Sequence, residues 1–537
     1  MPRVLRSLRV VLISLGLLMA GTASSADTAP APAPTPAPVQ PPAQQQFDVL
    51  EYRVLGNTVL PTRDIERLLY PLLGPAKILT DVEAARTALE KLYHDSGFAT
   101  VYVDIPPQNV TEGVVRLRAT EGRLERADIG GARYFSEREL RKQLPAATTG
   151  SVLKIPDLQR QLGEVNKQTA DRQVVPILKA GSAPGTVDLA LQVHDELPLH
   201  GSLELNNQAT IDTRPLRAIA ALSYDDLWGR LDKIAFQYQA TPQQLGQVRV
   251  IAANYVVHKL DSGLQPSFLY ISSNSNVATV GALGILGKGE IYGAQLAYFV
   301  NPESSGVQTV TLGVDYKHFR NTINQNAVTT LDTPISYVNL SLAYAGGWRS
   351  ERLFTAVSFS ADAGPRAIAN NPTAFANDRF KARSNYFYVR GDASTYVKLP
   401  ADFTVHVRLA GQEAVEPVIA NENFSIAGSD GVRGYLESEE LGDSALKGTV
   451  QLQSPGLHWH DRQLGDAFVF YDAGRTEVIS ALPGQLSHTN LHSWGGGFDI
   501  LPGQKVTASV TYARALSAGS ATRAGDSRVL FVLHGGF

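Results

Sequence analysis

An arginine in a glycine-rich stretch and an aspartate on an alternating strand are the residues of this sequence best placed to interact. Arg433 lies among Gly428, Gly431 and Gly434, in a segment too long for a hairpin tip. Glycines allow positive φ angles and close backbone packing, so this segment can fold back on itself. A guanidinium can bind a carboxylate such as Asp472 through two parallel hydrogen bonds. These residues are therefore candidates for an ion pair that could anchor a loop.

The strand around Asp472 has two different faces. Its residues Phe468, Phe470, Asp472 and Gly474 share one face, while Ala467, Val469 and Tyr471 form an apolar face that suits lipid. We therefore expect Asp472 to point inward. An exposed pair is worth only about 0–1 kcal/mol, whereas removing one partner of a shielded pair costs about 3–5 kcal/mol. The alternatives, an exposed loop arginine and a plain turn after the strand, stay open at this point.

No catalytic chemistry stands out. The sequence His458-Trp459-His460-Asp461 could hold a metal, but it lies in a turn with no third ligand nearby, so we expect exposed histidines. The chain has no cysteine, no Gly-x-Ser-x-Gly and no His-Glu-x-x-His sequence. Its net charge of −3 gives no basic field for nucleic acid. We predict no enzyme activity, no metal, no cofactor and no nucleic-acid partner.

The elements that must position the pair are strands. Only 18% of the 537 residues are charged, against about 25% in soluble proteins. Beyond Pro198 the pattern alternates with period two, which fits either a soluble sandwich or a barrel with a lipid-facing exterior and a wet, polar lumen. The remaining chain has room for roughly 16 strands of about ten residues.

The joints between these strands favour the barrel. Short joints include 226–229 and 502–504, and long polar ones include 320–334, 362–382 and 415–443. Short turns on one rim and long loops on the other are typical of membrane barrels. The last strand ends in Phe537, and such an aromatic end resembles the insertion signal of bacterial outer-membrane proteins.

The N-terminal part has a different organisation. Residues 1–26 have the basic end, apolar core and small-residue site of a signal peptide. Residues 27–46 are a Pro/Ala-rich linker in which we see no amphipathic plug helix. Two similar α+β modules of strand, helix, helix, strand, strand follow, at 47–121 and 122–196.

Helix starts in these modules can also be predicted. Thr62 could cap the first helix, and Thr80 with Glu83 could form a capping box for the second. Ser136 with Glu139 could form another such box in the second module.

Several stretches resemble the outer-membrane transporters of two-partner secretion, the ShlB/FhaC/HecB-type haemolysin secretion/activation proteins. The resemblance is carried by VLGNTVLP (54–61), YHDSGFATVYVDIPPQNVTEGVVRLRATEG (93–122), LKAGSAPGTVDLALQVHDELP (178–198), ENFSIAGSDGVRGYLESEELGD (422–443) and FVFYDAG (468–474). It covers about residues 47–537.

The resemblance implies a fold and a location. Residues 47–121 would be a first polypeptide-transport-associated (POTRA) domain and 122–196 a second, both in the periplasm. Residues 197–537 would be a barrel of about 16 antiparallel strands in the outer membrane of a bacterium. A secreted haemolysin- or adhesin-like exoprotein with an N-terminal secretion domain would be the partner. Outer-membrane lipid and, during biogenesis, the barrel assembly machinery would be further partners.

The resemblance also implies site residues. In the family an arginine of the loop motif contacts an aspartate of the strand motif inside the barrel. The corresponding residues here are the loop motif and the barrel-wall motif: Val432, Arg433, Gly434 and Tyr435, with Phe470, Asp472 and Gly474. The sequence Ala427-Gly428-Ser429-Asp430-Gly431 departs from the paired glycines and serine that the family often has before this motif.

Other functions remain open on the sequence alone. An insertase that assembles outer-membrane proteins shares the arginine loop but usually has more POTRA domains. A diffusion porin would not need residues 47–195. A barrel enzyme, such as an outer-membrane protease or lipase, has no supporting motif.

Overall fold

The described part of the chain begins at Gln46, the last residue of the predicted linker. In the computed structural model it comprises residues 46–110, 112–211, 213–260, 262–275, 277–280, 283–300, 306–325, 329–366, 368, 370–459, 462–500 and 505–537. The predicted signal peptide and all but the last residue of the predicted linker lie outside these residues, and both stay predictions.

The first module is an α+β unit built around a three-stranded sheet. Its elements are β1 (Phe47–Val49), β2 (Glu51–Leu55), α1 (Thr62–Leu69), a 3₁₀ helix (Tyr70–Leu72), β3 (Gly74–Lys77), α2 (Leu79–Asp95), β4 (Tyr102–Asp104) and β5 (Val114–Thr120). The sheet order is β2-β5-β4, with β2 parallel to β5. The module order that we predict has one strand before the first helix, but residues 47–55 form two, because β1 pairs with β3 and β2 pairs with β5, so the chain changes sheets at Leu50.

The second module repeats this arrangement. Its elements are β6 (Arg123–Gly130), α3 (Glu137–Gln143), a 3₁₀ helix (Pro145–Ala147), α4 (Ile155–Lys167), β7 (Arg172–Ala180) and β8 (Thr186–Asp195). The last strand again lies in the centre of the sheet, parallel to the first, in the order β6-β8-β7. Leu158, Leu162 and Val165 of α4 are buried, as their helical spacing predicts.

The predicted helix caps are partly wrong. The Ser136 side chain caps α3 by accepting a hydrogen bond from the Glu139 backbone N–H (3.4 Å), as predicted. Thr62 is not a cap, because α1 begins at Thr62 itself and Pro61 stands at its N-cap. Helix α2 begins at Leu79, one residue before the predicted cap Thr80.

Beyond the second module every long element is a strand. In chain order the remaining strands are β9 (Leu199–Asn206), β10 (Arg217–Leu227), β11 (Asp232–Ala240), β12 (Arg249–Val256), β13 (Leu264–Ser273), β14 (Val277–Val280), β15 (Leu283–Leu286), β16 (Gly289–Val300), β17 (Gly306–Gln325), β18 (Thr329–Arg349), β19 (Leu353–Ala363), β20 (Phe387–Lys398), β21 (Thr404–Ala414), β22 (Phe424–Ser425), β23 (Leu441–Gly442), β24 (Ser444–Gln453), β25 (Leu457–Trp459), β26 (Arg462–Glu477), β27 (His488–Ile500), β28 (Val506–Ala515) and β29 (Ser527–Gly536). In the described part of this region the helix α5 (Pro372–Asp378) and the 3₁₀ helices Pro400–Asp402 and Ala420–Glu422 lie between them.

Sixteen of these strands close an antiparallel barrel, which confirms the predicted fold class. They are β9–β13, β16–β21, β24 and β26–β29, with the short β25 paired to β26. The barrel closes where β29 pairs with β9, from Val532↔Asn206 to Gly536↔Ser202. Within the described residues, no helix is both long and apolar enough to cross a membrane.

The strand faces follow the predicted alternation. On β26, Val469 and Tyr471 are 59% and 48% exposed, while Phe468, Phe470 and Asp472 are buried. The outward face is therefore apolar, as expected for a barrel surrounded by lipid.

Two predictions are wrong, one about a long loop and one about the lumen. Residues 320–334 are not a loop, because the pairing of β17 with β18 continues to Gln325↔Thr329. The lumen is not simply polar and wet, because the segment 364–386 carries α5 and folds inward. Its Phe375 packs against Tyr337 and Tyr386, with ring centroids 5.5 and 5.9 Å apart.

We call this apolar packing the lumen cluster. It is formed by buried side chains of the barrel wall, of the 364–386 segment and of the chain after β21: Val248, Val250, Ala252, Ile271, Ile291, Phe319, Ile335, Tyr337, Phe375, Ala382, Tyr386, Tyr388, Ala414, Val418 and Ile419.

Candidate functional site

The loop between β21 and β24 folds back into the barrel. We call residues 415–443 the inner loop; its two ends are held together by the pairing of β22 with β23. Gly428 and Gly434 adopt φ angles of +115° and +98°, which L side chains rarely tolerate. A Cβ on Gly434 would also lie 3.3 Å from the backbone nitrogen of Ala515. The glycines therefore permit the inward fold that the sequence predicts.

Arg433 forms a bidentate ion pair with Asp472. Its Nε donates to Oδ2 (2.8 Å) and its Nη2 to Oδ1 (2.9 Å) of Asp472, and the Arg433 backbone N–H donates to the same Oδ2 (3.1 Å). The Nη1 atom donates to Oε1 of Gln451 on β24 (2.9 Å). Asp472 is fully buried and the Arg433 side chain is 13% exposed, so the pair is of the shielded kind.

The other predicted site residues surround this pair. The guanidinium carbon of Arg433 lies 3.3 Å from the centroid of the Phe470 ring, a cation–π contact. The Tyr435 hydroxyl donates to the carbonyl of Ser517 (2.7 Å). A Cβ on Gly474 would lie 3.0 Å from Cγ2 of Val432, so the absence of a side chain there lets the loop approach the wall.

The structure thus brings all seven predicted site residues together. Two motifs about forty residues apart in sequence form one packed site on the lumen side of β26. The arrangement can hold a loop across the lumen; whether it serves export remains a prediction.

Sequence reasoning missed further contacts of the inner loop. Asp443, at the end of the loop, forms a second bidentate pair with Arg379, just after α5 (Nη2 to Oδ2, 2.6 Å). The Glu439 carboxylate accepts hydrogen bonds from the backbone of Ala521 (2.9 Å) and Thr522 (2.6 Å), between β28 and β29. These contacts join positions far apart in sequence, and no local pattern indicates them.

The metal alternative gains nothing from the structure. His458 Nδ1 lies 2.6 Å from the carbonyl of Gly456, while His460 and Asp461 lie outside the described residues. Elsewhere among the described residues, atoms of Asp171, His200 and Asp225 lie within 4.8 Å of one another. Asp225 pairs with Lys233 Nζ (2.8 Å) and Asp171 with Nε2 of His200 (3.0 Å), so each carboxylate already has a partner.

Comparisons with known proteins agree with this architecture. The family "POTRA domain, ShlB-type" matches residues 47–122, and the family "Haemolysin secretion/activation protein ShlB/FhaC/HecB" matches residues 185–524, more than half of the chain. The outer membrane transporter CdiB of Dickeya dadantii (strain 3937) is 21% identical over 480 residues, which cover 84% of this chain and 80% of that protein.

Solved structures show the same fold. CdiB from Escherichia coli aligns with a TM-score of 0.57 at 18% identity, covering 94% of this chain and 92% of that one. BamA from Haemophilus ducreyi lacking POTRA domains 1–3 aligns with a TM-score of 0.58 at 12% identity, covering 91% of this chain and all of that one.

The fold and the family matches together define an outer-membrane β-barrel transporter that carries a POTRA domain at its N-terminus. The chain belongs to the haemolysin secretion/activation protein ShlB/FhaC/HecB family. This is a family of two-partner secretion transporters, which carry a partner exoprotein, and its POTRA domains are periplasmic. The family resemblance seen in the sequence is therefore confirmed.

Proposed function

We propose that this protein recognises one exoprotein in the periplasm through its POTRA modules and exports it through the barrel. The observation that carries the proposal is the inner loop, which is held inside a closed barrel by the buried Arg433–Asp472 pair. A loop anchored in this way would give an exported chain a defined path through the lumen. The domain boundaries 47–121, 122–196 and 197–537 are part of the same proposal.

Strand addition is the proposed mode of recognition. Among the described strands β7 pairs only with β8, and Val175, Ile177 and Leu178 on it are exposed. An exposed sheet edge can bind an extended peptide through backbone hydrogen bonds. Pro176 offers no backbone donor, so an added strand would use the flanking N–H and carbonyl groups.

The energy for export comes from the exoprotein in this proposal. The sequence contains no Walker-type phosphate-binding loop. An unfolded, strand-forming exoprotein that folds outside the cell would pull the rest of its chain through the lumen.

Deletion of residues 47–121 tests the recognition step. We expect loss of exoprotein secretion while the barrel still inserts, as judged by its heat-modifiable mobility on gels. Undiminished secretion by the deletion variant would remove the recognition claim.

Membrane partners complete the proposal. The apolar outward face would contact outer-membrane lipid, and β29 with the aromatic Phe537 that follows it would be recognised by the barrel assembly machinery. Removing Phe537 should lower the amount of inserted barrel, which membrane fractionation can measure.

An insertase is the second candidate, since the fold is shared with BamA from Haemophilus ducreyi. Two α+β modules before the barrel and Pro106-Pro107-Gln108 favour export instead. An assay of outer-membrane protein assembly in cells that lack this protein separates the two functions. A diffusion porin is disfavoured by the lumen cluster, which fills part of the lumen.

A further inference from the structure

The part of the inner loop before Arg433, which we call its upstream arm, carries a buried carboxylate that has no role yet in the proposed function. Glu422 is 1% exposed. Its Oε1 accepts hydrogen bonds from Lys317 Nζ (2.7 Å) and from the Tyr337 hydroxyl, and its Oε2 accepts one from the Tyr388 hydroxyl (2.6 Å). One cation and two hydroxyls thus surround a single carboxylate.

The backbone at the same position is held as well. The carbonyl of Glu422 accepts from Nε2 of Gln412 (3.0 Å) and from Nη2 of Arg390 (3.2 Å). All five donors come from the barrel wall, so this point of the loop is fixed by its side chain and by its main chain.

The wall strands involved lie away from those that hold Arg433. The inner loop joins β21 to β24, and we call this place in the barrel its root. Lys317, Tyr337 and Tyr388 lie on β17, β18 and β20, which precede the root in the barrel order. Asp472 lies on β26, which follows the root. The inner loop is therefore fastened to the wall on both sides of its root.

We infer that Glu422 is a second anchoring residue of the inner loop, which pins the upstream arm through Lys317 while Arg433 pins the downstream arm. A buried carboxylate without its cation is strongly unfavourable, so removing either partner should free this arm. Its part in export rests on the proposed function, but its hold on the loop does not.

The natural absence of cysteine gives a direct test. Ser425, three residues after Glu422, is half-buried and can be replaced by cysteine as a reporter. Maleimide labelling of Ser425→Cys protein in outer-membrane vesicles should become faster by about tenfold or more with Glu422→Ala, and likewise with Lys317→Met.

A matched control lies in the same loop. Glu416 pairs with Arg383, whose side chain is 67% exposed, so Glu416→Ala should leave the labelling rate within about twofold of the parent. The double variant Glu422→Gln/Lys317→Met removes both charges and should label more slowly than Lys317→Met alone, because the carboxylate that Lys317→Met leaves without its lysine is no longer charged.

Labelling of Glu422→Ala and Lys317→Met at the Glu416→Ala rate, in folded barrels, would overturn the inference. If Glu422→Ala barrels fail to fold, Lys317→Met and the double variant decide the question. The labelling needs no exoprotein, so absence of export by the parent protein would count against the proposed function alone.

Discussion

At the scale of residues, the buried Arg433–Asp472 pair is the feature on which the site depends. Its two parallel hydrogen bonds fix both the distance and the orientation of the loop, which a single contact would not do. The Phe470 ring beneath the guanidinium adds a contact specific to a planar cation.

We expect Arg433→Ala to reduce exoprotein secretion by about tenfold or more, because breaking a shielded pair costs about 3–5 kcal/mol and frees the loop. Arg433→Lys should be intermediate, since an ammonium cannot form the bidentate contact. Secretion is measured by immunoblotting of culture medium. Arg475→Ala, on the exposed outer face of β26, is the control and should secrete normally. Wild-type secretion by Arg433→Ala would contradict the anchoring role.

Gly474 provides a second test at this scale. A valine there would push against Val432 and Ile426, whose atoms lie 3.0 and 3.1 Å from the position of the new Cβ. We expect Gly474→Val to displace the inner loop and to lower secretion. Gly391→Val is the matched control, because its Cβ would meet only the Ser358 carbonyl, at 4.0 Å. Equal secretion by the two variants would argue against close packing of the loop on β26.

Some of these residues can be predicted from the sequence and others cannot, for a physical reason. Arg433 stands out through its glycines and Asp472 through the alternation of its strand, and the resemblance to the family implies that the two residues pair. Glu422 and Lys317 are 105 residues apart and meet only because the barrel brings β17 near the loop. No local sequence pattern indicates such a contact.

At the scale of elements, helix α5 closes part of the lumen through Phe375, which is fully buried. We expect Phe375→Ala to cost about 3–5 kcal/mol of local stability and to expose segment 364–386 to protease. Phe380→Ala is the control in the same segment, because Phe380 is 53% exposed. Unchanged protease resistance of Phe375→Ala in folded barrels would show that α5 does not depend on the lumen cluster.

The stability of the turn between β7 and β8 should depend on pH. Hydrogen bonds from the Ser182 and Thr186 hydroxyls, and then from the Ser182 backbone N–H, lower the pKa of Glu125 to about 2. Because the pKa is lowered on folding, the carboxylate stabilises this turn above pH about 4.5, and the effect fades as the pH falls toward 2.

Hydrogen exchange can measure this effect in the whole protein. The amides of residues 181–186 should be less protected in Glu125→Gln than in the parent at pH 7, and the difference should shrink as the pH falls toward 2. A difference that is constant across this range would rule out the ionised carboxylate as its source.

Some element boundaries could be predicted from local chemistry, although the caps predicted at Thr62 and Thr80 are wrong. Ser136 caps α3 as expected because its side chain reaches an adjacent backbone N–H. The extension of β17 and β18 to Gln325 and Thr329 was not predictable, since it depends on pairing between two strands of polar sequence. The inward fold of segment 364–386 was missed for a similar reason: its apolar Phe375 finds partners only once the barrel has closed.

At the scale of the whole molecule, the barrel is a conduit that two inward-folded segments obstruct. The lumen cluster fills the side lined by β12 to β20, and the inner loop is fastened to β26 and reaches toward β28 and β29. The number of strands and the closure follow from alternation and length, but the contents of the lumen do not.

A photocrosslinking measurement tests passage through the lumen most directly. On β21, His406 lies on the lumen face, where Ser394 hydrogen-bonds its ring (2.9 Å), and its neighbour Val407 is 42% exposed on the outer face. A photoreactive residue placed at position 406 should crosslink to an exoprotein stalled in transit, and the same residue at position 407 should not. No crosslink from position 406 to a stalled exoprotein, or equal crosslinking from both positions, would contradict export through the barrel.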